Sequence, residues 1–231
     1  MKVGISIFGA QGRMGQRIDA LVKSDFKDRA QIVHHLDRDS DMSTLNEASC
    51  VIDFSLPEGT QRAIEFLNGK KNLTFVSGTT GLSSSQQEQL KSLGKDHRIA
   101  WSSNFSIGVF ALRKILRAVT PMLKSLHYAP EIDETHHVHK KDRPSGTALT
   151  LKQELETFYS DLPEVISHRE GEVIGTHCVQ FKSDNDMIEL KHQALDRDIF
   201  ARGAIEFAIW LSGKEKTGFY TMDDFFEDQF S

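Results

Sequence analysis

The sequence has few cysteines and no long hydrophobic segment. Its 231 residues include two cysteines, Cys50 and Cys178, each within a strand-like run where a small buried hydrophobic residue is expected. Disulfide and cysteine–metal chemistry are therefore set aside. The apolar runs have the length of strands, so none approaches the ~20 residues that cross a bilayer. The chain also opens without the layout of a signal peptide, and we expect a cytoplasmic protein without a membrane partner.

A basic surface is lacking as well. The 28 Lys and Arg residues stand against 33 Asp and Glu residues, which gives a formal net charge of -5, and the basic residues are scattered. Nucleic-acid binding needs clustered basic side chains that meet the phosphates. No nucleic-acid partner is therefore expected, and the composition, 39% hydrophobic and 26% charged, is that of an ordinary globular chain of one or two domains.

From residue 1 to about 102, short apolar runs alternate with segments of helical periodicity. Turn residues separate the two kinds of segment. This βαβ pattern predicts a parallel sheet with helices on both faces. The strands are expected at Lys2–Phe8, Gln31–Leu36, Cys50–Phe54, Leu73–Val76 and Arg98–Trp101.

The pattern changes after a helix expected at Val109–Leu123. Longer segments with more alternation follow, and one helix, Thr147–Tyr159, interrupts them. Strict alternation is typical of strands with one covered face, so a second, α+β domain with an open mixed sheet is predicted. Its strands are expected at Glu131–Thr135, Val173–Phe181 and Met187–Leu195.

The tail returns to helical spacing at Asp198–Leu211 and again at Asp223–Phe230. We expect it to pack back onto the first domain. The predicted domains are therefore residues 1–107 with 197–231, and residues 108–196.

A glycine-rich turn follows the first predicted strand. Gly9, Gly12 and Gly15 are spaced as G-x-x-G-x-x-G, with Gln11 between the first two, and a helical pattern follows. Small residues at a first βα turn let backbone N–H groups approach a pyrophosphate, whose charge the helix N-terminus favours. The second strand ends at Asp37-Arg38, close to the ~20 residues beyond the glycines where an acid bonds the adenine ribose. The α/β fold is therefore predicted to open with a Rossmann-type dinucleotide-binding domain.

Polar residues also follow the fourth and fifth predicted strands. Ser77-Gly78-Thr79-Thr80-Gly81 comes after one, and Ser103-Asn104-Phe105 after the other. Carboxyl ends of parallel strands meet at one edge of the sheet, where such folds bind ligands. The three turns together favour a cleft at this edge.

Four of the ten histidines lie close together, at His127, His136, His137 and His139. Neighbours on an extended segment point to opposite faces, and no acidic or Cys cluster of ligand spacing accompanies them, so a metal site is not expected. Acid–base chemistry or anion binding fits better. A histidine with a pKa of about 6.5 can donate a proton near neutral pH, and Lys140 would add a fixed cation.

A helix is predicted directly after Pro144-Ser145-Gly146-Thr147, with Ser145 or Thr147 as its cap. Its free N–H groups make a ready site for a carboxylate.

These motifs, in this order, resemble the dihydrodipicolinate reductase family. The matching stretches span nearly the whole chain, and the most specific is His136-His137-x-x-Lys140 followed by Pro144-Ser145-Gly146-Thr147. The other stretches are 8–15, 51–55, 78–81, 103–109, 200–204 and 210–213.

The resemblance implies an NADH- or NADPH-dependent reductase of the lysine and diaminopimelate route, acting on a cyclic dicarboxylate imine with loss of water. It implies that the second domain binds substrate and forms a homotetramer through its open sheet. His136 and Lys140 become the catalytic pair. The cofactor would be held by Gly9, Gln11, Gly12, Arg13, Met14, Asp37, Arg38, Gly78, Thr79, Thr80, Ser103, Asn104 and Phe105. The substrate would be held by His137, Lys140, Ser145, Gly146, Thr147 and Arg197.

The chain departs from the family in its short connection between Asp37 and Val51, in Arg143, and in Gln11 where glycine is frequent. Two other interpretations stay open. One is a different two-domain dehydrogenase, such as one acting on aspartate or homoserine, and the other is a dinucleotide sensor without catalysis.

Overall fold

The periodic segments form helices and the apolar runs form strands in the computed structural model, which describes residues 1–45 and 50–230. By internal packing the chain divides into unit 1, Met1–Phe105 with Asp198–Ser231, and unit 2, Ser106–Arg197. In chain order the elements are β1 (Val3–Phe8), α1 (Arg13–Ser24), β2 (Ala30–Leu36), β3 (Cys50–Asp53), α2 (Pro57–Leu67), β4 (Thr74–Ser77), α3 (Ser84–Leu93), β5 (Arg98–Trp101), α4 (Ile107–Ser125), β6 (Ala129–His136), α5 (Gly146–Glu156), β7 (Ile166–Arg169), β8 (Gly175–Lys182), β9 (Met187–Ala194), α6 (Asp198–Ser212), β10 (Gly218–Tyr220) and α7 (Met222–Phe230).

In the described part of unit 1, six strands form a sheet in the order β10-β5-β4-β3-β1-β2, and every pair is parallel. The central strands β3 and β4 are buried along their whole length, as expected where helices cover both faces. The predicted parallel sheet is confirmed. The three turns after β1, β4 and β5 therefore lie at the same edge, together with the turn after β3.

The second sheet, in unit 2, has the order β7-β6-β8-β9. β6 pairs parallel with β7 and antiparallel with β8, and β8 pairs antiparallel with β9, so the predicted mixed sheet is confirmed. The core between this sheet and α4 and α5 includes Leu116, Leu151, Leu155, Val179 and Phe181. β9 alternates between exposed and half-buried residues, so one of its faces is open to solvent within this unit.

Several boundaries differ from the sequence prediction. The strand expected at Val173–Phe181 runs from Gly175 to Lys182, and the helix expected at Thr147–Tyr159 ends at Glu156. Two short strands, β7 and β10, were not predicted. The short connection between Asp37 and Val51 includes residues 46–49, which lie outside the described range. Across 1–45 and 50–230, no helix has both the length and the apolar character to span a membrane.

Candidate active site

The turn after β1 requires glycine at two positions. Gly9 has φ +83°, and a Cβ there would lie 2.9 Å from the carbonyl oxygen of Phe54. A Cβ on Gly15 would lie 2.3 Å from the carbonyl oxygen of Gly9. Both clashes are with backbone atoms, which cannot rotate away. The glycines therefore let the turn pack directly against α1 and the turn after β3.

The N-terminus of α1 has no side-chain cap. Its N-cap residue, Gly12, is extended and makes no capping side-chain hydrogen bond, whereas Ser83 and Ser145 cap α3 and α5. The first N–H groups of a helix carry partial positive charge and need acceptors. The start of α1, with Arg13 and Met14 in its first turn, thus suits a pyrophosphate.

Asp37 connects the end of β2 to the glycine turn. Its Oδ1 accepts a hydrogen bond from the Gln11 N–H at 3.2 Å, and its own N–H donates to the Ser40 hydroxyl at 2.8 Å. A groove of about 960 Å³ lies beside it, lined in part by Gln11, Asp37, Arg38 and Ser40. This volume is in the range of small-molecule sites, ~300–1,000 Å³. An acidic acceptor and the exposed Arg38 guanidinium therefore line the same groove.

The Gly78–Thr80 turn presents its residues unequally. Thr79 is 3% exposed, its hydroxyl donates to Asp53 Oδ2 at 3.1 Å, and its carbonyl oxygen accepts from Trp101 Nε1 at 2.9 Å. Thr80 is exposed. The structure thus turns the Thr79 side chain inward, where it supports the turn, and leaves Thr80 as the side chain available to a ligand.

The turn after β5 is held by Ser102. Its hydroxyl donates to the Asn104 carbonyl oxygen at 2.7 Å and accepts from the Asn104 N–H at 3.2 Å, while Ser103 is exposed. Phe105 is 1% exposed and its ring packs on Phe207, with centroids 5.7 Å apart. The Phe105 side chain is therefore part of the core of unit 1.

In unit 2, His136 ends β6 and is buried beside an ionic pair. Its Nδ1 contacts the carboxylate of Glu134, which is 0% exposed and whose other oxygen accepts from Arg169 Nη1 at 2.9 Å. Burial lowers the pKa of His136, and Glu134 only partly offsets this. Burial alone would raise the pKa of Glu134, but hydrogen bonds and charges from Ser167, Arg169 and His136 hold it below its usual value.

His177 and Ser145 lie next to this group. The rings of His136 and His177 meet edge to face with centroids 5.0 Å apart, and His177 Nε2 lies 3.2 Å from the Ser145 hydroxyl. Burial lowers the pKa of His177 to about 3, so its imidazole is neutral. The Ser145 hydroxyl also caps α5 by accepting from the Ala148 N–H at 3.2 Å. The Ser145 side chain, expected at the substrate, is thus engaged in the interior.

Arg169 fixes the loop that carries Lys140. Its Nε donates to the Lys140 carbonyl oxygen at 3.2 Å and its Nη2 donates to the Asp142 carbonyl oxygen. The Lys140 N–H donates to the His137 carbonyl oxygen at 3.1 Å, and its ammonium pairs with Asp142 Oδ1 at 2.9 Å. The Lys140 charge acts on His136, whose pKa it lowers further. The predicted catalytic residues are therefore connected through Glu134 and Arg169.

The remaining predicted substrate residues surround this group. Burial and the Arg197 charge lower the pKa of the half-buried His137. Gly146 is exposed and begins α5, and Thr147 follows it half-buried. Together with Lys140, these groups offer two cations, Lys140 and Arg197, and a helix N-terminus to an anionic ligand.

One cluster among residues 1–45 and 50–230 groups three potential metal ligands, Glu134, His136 and His177, within 4.8 Å of one another. Sequence spacing did not reveal it. The Arg169 guanidinium already pairs with Glu134 Oε1 at 2.9 Å, and this positive charge beside the cluster disfavours a cation.

Four buried residues that the sequence analysis did not select help to build these sites. The sequence signal for Asp53 is a carboxylate at the end of an apolar run. The signal for Glu134 is its position two residues before His136, which puts both side chains on the same face of a strand. Arg169 pairs with His136 across β6 and β7, and His177 pairs with Glu134 across β6 and β8. Arg169 and His177 are placed beside β6 only by the register of the paired strands.

Comparison with known proteins gives two family models and close relatives. The model described as dihydrodipicolinate reductase, N-terminus, matches residues 2–105, and the model for the C-terminus matches residues 108–226. The 4-hydroxy-tetrahydrodipicolinate reductase of Bdellovibrio bacteriovorus is 36% identical and covers 96% of each chain. That of Campylobacter jejuni is 37% identical and covers 96% of this chain and 98% of its own. A solved structure, the dipicolinate-bound dihydrodipicolinate reductase from Paenisporosarcina sp. TG-14, has a TM-score of 0.71 at 21% identity, covering 95% of this chain and 97% of its own.

The parallel sheet with its glycine turn and the second unit with a mixed sheet, together with the matching family models, define a nicotinamide-dependent oxidoreductase. The chain belongs to the dihydrodipicolinate reductase family. It is an NAD(P)H-dependent reductase of lysine and diaminopimelate biosynthesis, so the family, activity and cofactor predicted from the sequence are confirmed. An aspartate dehydrogenase from Thermotoga maritima shares only the fold, with a TM-score of 0.53 at 13% identity.

Proposed function

We propose that unit 1 holds NADH or NADPH and that unit 2 holds 4-hydroxy-tetrahydrodipicolinate, which the chain reduces to tetrahydrodipicolinate. The main structural support for these roles is the buried His136–Glu134 pair beside the Lys140 loop. It places a titratable imidazole and a cation together in the unit that lacks the glycine turn.

The glycine turn of unit 1 fits a dinucleotide. The uncapped start of α1 receives the pyrophosphate, Asp37 accepts from the adenine ribose, and Arg38 meets the 2′-phosphate of NADPH. Thr80 and the turn at Ser103 and Asn104 border the nicotinamide end. When bound, the nicotinamide supplies the hydride.

The chain therefore should use both cofactors. We expect kcat/KM for NADH and NADPH to agree within about a hundredfold, because an acid and a cation share the groove. Steady-state assays with each cofactor at saturating substrate test this. Activity with one cofactor alone contradicts the shared role of Asp37 and Arg38.

Unit 2 binds the two substrate carboxylates and supplies a proton. Lys140 and Arg197 provide positive charge, His137 offers a ring nitrogen, and Gly146 and Thr147 provide the N–H groups of the α5 terminus. The reaction adds a hydride to the conjugated ring and releases a hydroxyl, which takes up one proton and leaves as water. His136 donates this proton, because a bound dianion favours its charged form.

Removal of Lys140 tests the substrate site, with Lys141 as the matched control. We expect Lys140→Ala to raise KM for the substrate and to lower kcat, since a cation in a half-buried site both binds and orients. NADH affinity should stay unchanged. Lys141→Ala, which removes an exposed neighbouring charge, should behave as the parent. A Lys140→Ala variant that loses NADH binding instead assigns this lysine to the cofactor.

We propose further that the protein works in the cytoplasm as a homotetramer assembled through the open face of the second sheet. The alternating exposure of β9 and the exposed side chains of Ile166 and Met187 support this face as the contact. Light scattering after size exclusion tests it, with Met187→Glu as the disrupting variant.

A further inference from the structure

Asp53, at the end of β3, is a completely buried carboxylate surrounded by hydroxyl and N–H groups. Its Oδ1 accepts from the Ser55 N–H at 2.9 Å and from the Ser55 hydroxyl at 2.6 Å. Its Oδ2 accepts from the hydroxyls of Thr60 at 2.6 Å, Ser77 at 2.9 Å and Thr79 at 3.1 Å. Burial of a carboxylate costs free energy unless the group is well hydrogen-bonded. The Asp53 carboxylate therefore requires these hydroxyl and N–H donors.

Two of the three bonds on Oδ2, those from Ser77 and Thr79, act on Thr79 in the turn after β4. Thr79 donates its hydroxyl to Asp53, and its N–H donates to the Ser77 hydroxyl at 3.3 Å, which itself donates to Asp53. Its carbonyl oxygen accepts from Trp101 Nε1 at 2.9 Å. Thr79 is therefore fixed at its N–H, its side chain and its carbonyl group, and Thr80 beside it is exposed.

The bonds on Oδ1 hold the turn after β3, which meets the glycine turn. A Cβ on Gly9 would lie 2.9 Å from the Cα of Ser55, so the two turns are in direct contact. One carboxylate therefore ties together the turn that follows β3, which packs on Gly9, and the turn that carries Thr80.

We propose that Asp53 is a positioning residue for the nicotinamide half of the cofactor, acting through Thr79 on the turn that presents Thr80. The inference rests on the proposed placement of NADH or NADPH in unit 1. Asp53 does not touch the cofactor. Its role is to hold one backbone arrangement at the edge of the sheet, because a displacement of about 1 Å in a bound reactant can cost ~100-fold in rate.

The alternative is that Asp53 only stabilises the core. Thr60 separates the two possibilities, since its hydroxyl bonds the same carboxylate oxygen but belongs to α2 and not to the turn. Thr60→Val and Thr79→Val each remove one hydroxyl from Oδ2 and keep the side-chain shape. Both residues are buried, so the two variants are matched.

The test compares Asp53→Asn, Thr79→Val and Thr60→Val by melting temperature, kcat, KM and direct titration with NADH and with ADP-ribose. ADP-ribose has the adenine and pyrophosphate but no nicotinamide. We expect Thr79→Val to lower kcat/KM for NADH about 10- to 100-fold and to weaken NADH binding, with ADP-ribose affinity and substrate KM unchanged. Asp53→Asn should show the same selective loss, and Thr60→Val should keep the parental kcat.

Equal kinetic effects of Thr60→Val and Thr79→Val, or a parental kcat in Thr79→Val, would overturn the proposal. If Asp53→Asn does not fold, Thr79→Val decides the question alone. If the parent binds NADH but does not reduce the substrate, the proposed reaction fails, while the contrast between NADH and ADP-ribose binding still tests the role of Asp53.

Discussion

Burial and the Glu134 carboxylate have opposite effects on the pKa of His136. Burial favours its neutral form, while the contact of Nδ1 with Glu134 favours the charged form, and the net result is a lowered pKa. The Glu134 carboxylate also orients the ring, because it fixes which nitrogen faces the ion pair. A substrate with two carboxylates adds negative charge and thus raises the pKa towards the range where a proton donor is useful.

We predict that His136→Gln folds as the parent and loses about 10²–10⁴ in kcat, the usual contribution of a positioned general acid. NADH affinity should not change. The rate of an enzyme that needs a protonated donor falls as pH rises through the donor's pKa, so the variant should lack the alkaline limb of the kcat profile. Steady-state kinetics between pH 5 and 9 measure this.

His139→Gln is the control, since His139 is exposed and pairs only loosely with Glu172, at 3.4 Å. It should keep the parental kcat and pH profile. A His136→Gln variant with parental kcat would exclude His136 as the acid and leave Lys140 as the donor.

The sequence indicated the candidate site residues but not the residues that hold them in place. His136 and Lys140 belong to a distinctive motif, whereas Arg169 reaches Glu134 and the Lys140 loop from another strand. The spacing of residues within one segment does not show which residues of two different strands lie opposite each other. Phe105 and Ser145 belonged to recognisable motifs, but their side chains are engaged in the interior, which depends on packing from α6 and β8.

At the level of elements, the periodic helices and the apolar strands were predictable, including the four-residue strands β3, β4 and β5, but β7 and β10 were not. β10 has three residues and gains its order by pairing with β5, far away in sequence. β7 has four residues and pairs with β6. Such strands depend on partners that a local pattern does not show.

The glycine turn gives a prediction at this scale. Gly15→Ala should lower the free energy of unfolding by about 1–3 kcal/mol, since its methyl group would overlap the Gly9 carbonyl oxygen and force α1 away from the turn. NADH binding should weaken in parallel. Chemical denaturation and NADH titration measure the two effects.

Gly213→Ala is a suitable control because a Cβ there meets its nearest neighbour, the Trp210 carbonyl oxygen, at 3.4 Å. It should change both quantities little. A Gly15→Ala variant with parental stability and affinity would show that the close approach of turn and helix is not required.

At the scale of the whole molecule, unit 1 is built from two separated stretches of chain, because β10 completes a sheet that begins at residue 3 and α6 packs against that sheet. The βαβ pattern predicted the fold class, since parallel strands need crossover helices. The pH dependence of stability, however, involves a buried histidine that the sequence analysis did not select. Burial has the largest effect on the pKa of His177; His136, His192 and Lys140 lower it further, and Glu134 raises it.

The last prediction concerns acid sensitivity. His177 is neutral in the folded chain, with a pKa of about 3, and takes up a proton near pH 6.5 when unfolded. The unfolded state therefore binds more protons between these values, so stability is present above pH 6.5 and is lost as pH falls. From pH 7 to pH 5 this one residue should remove ~2 kcal/mol from the free energy of unfolding. Carboxylates with lowered pKa lose their contribution mainly at lower pH. Other histidines with lowered pKa act in the same direction as His177, so its share is the difference between the parent and a variant that lacks it.

Urea denaturation at pH 7 and pH 5, followed in the parent and in His177→Gln, measures the difference. Glutamine can keep the contact with the Ser145 hydroxyl but takes up no proton, so the variant should lose less stability over this interval than the parent. His168→Gln, at an exposed position in the same sheet, controls for the substitution itself. An equal loss in the parent and in His177→Gln would mean that His177 takes up its proton equally in both states, and the buried neutral imidazole would then be the wrong description of this part of unit 2.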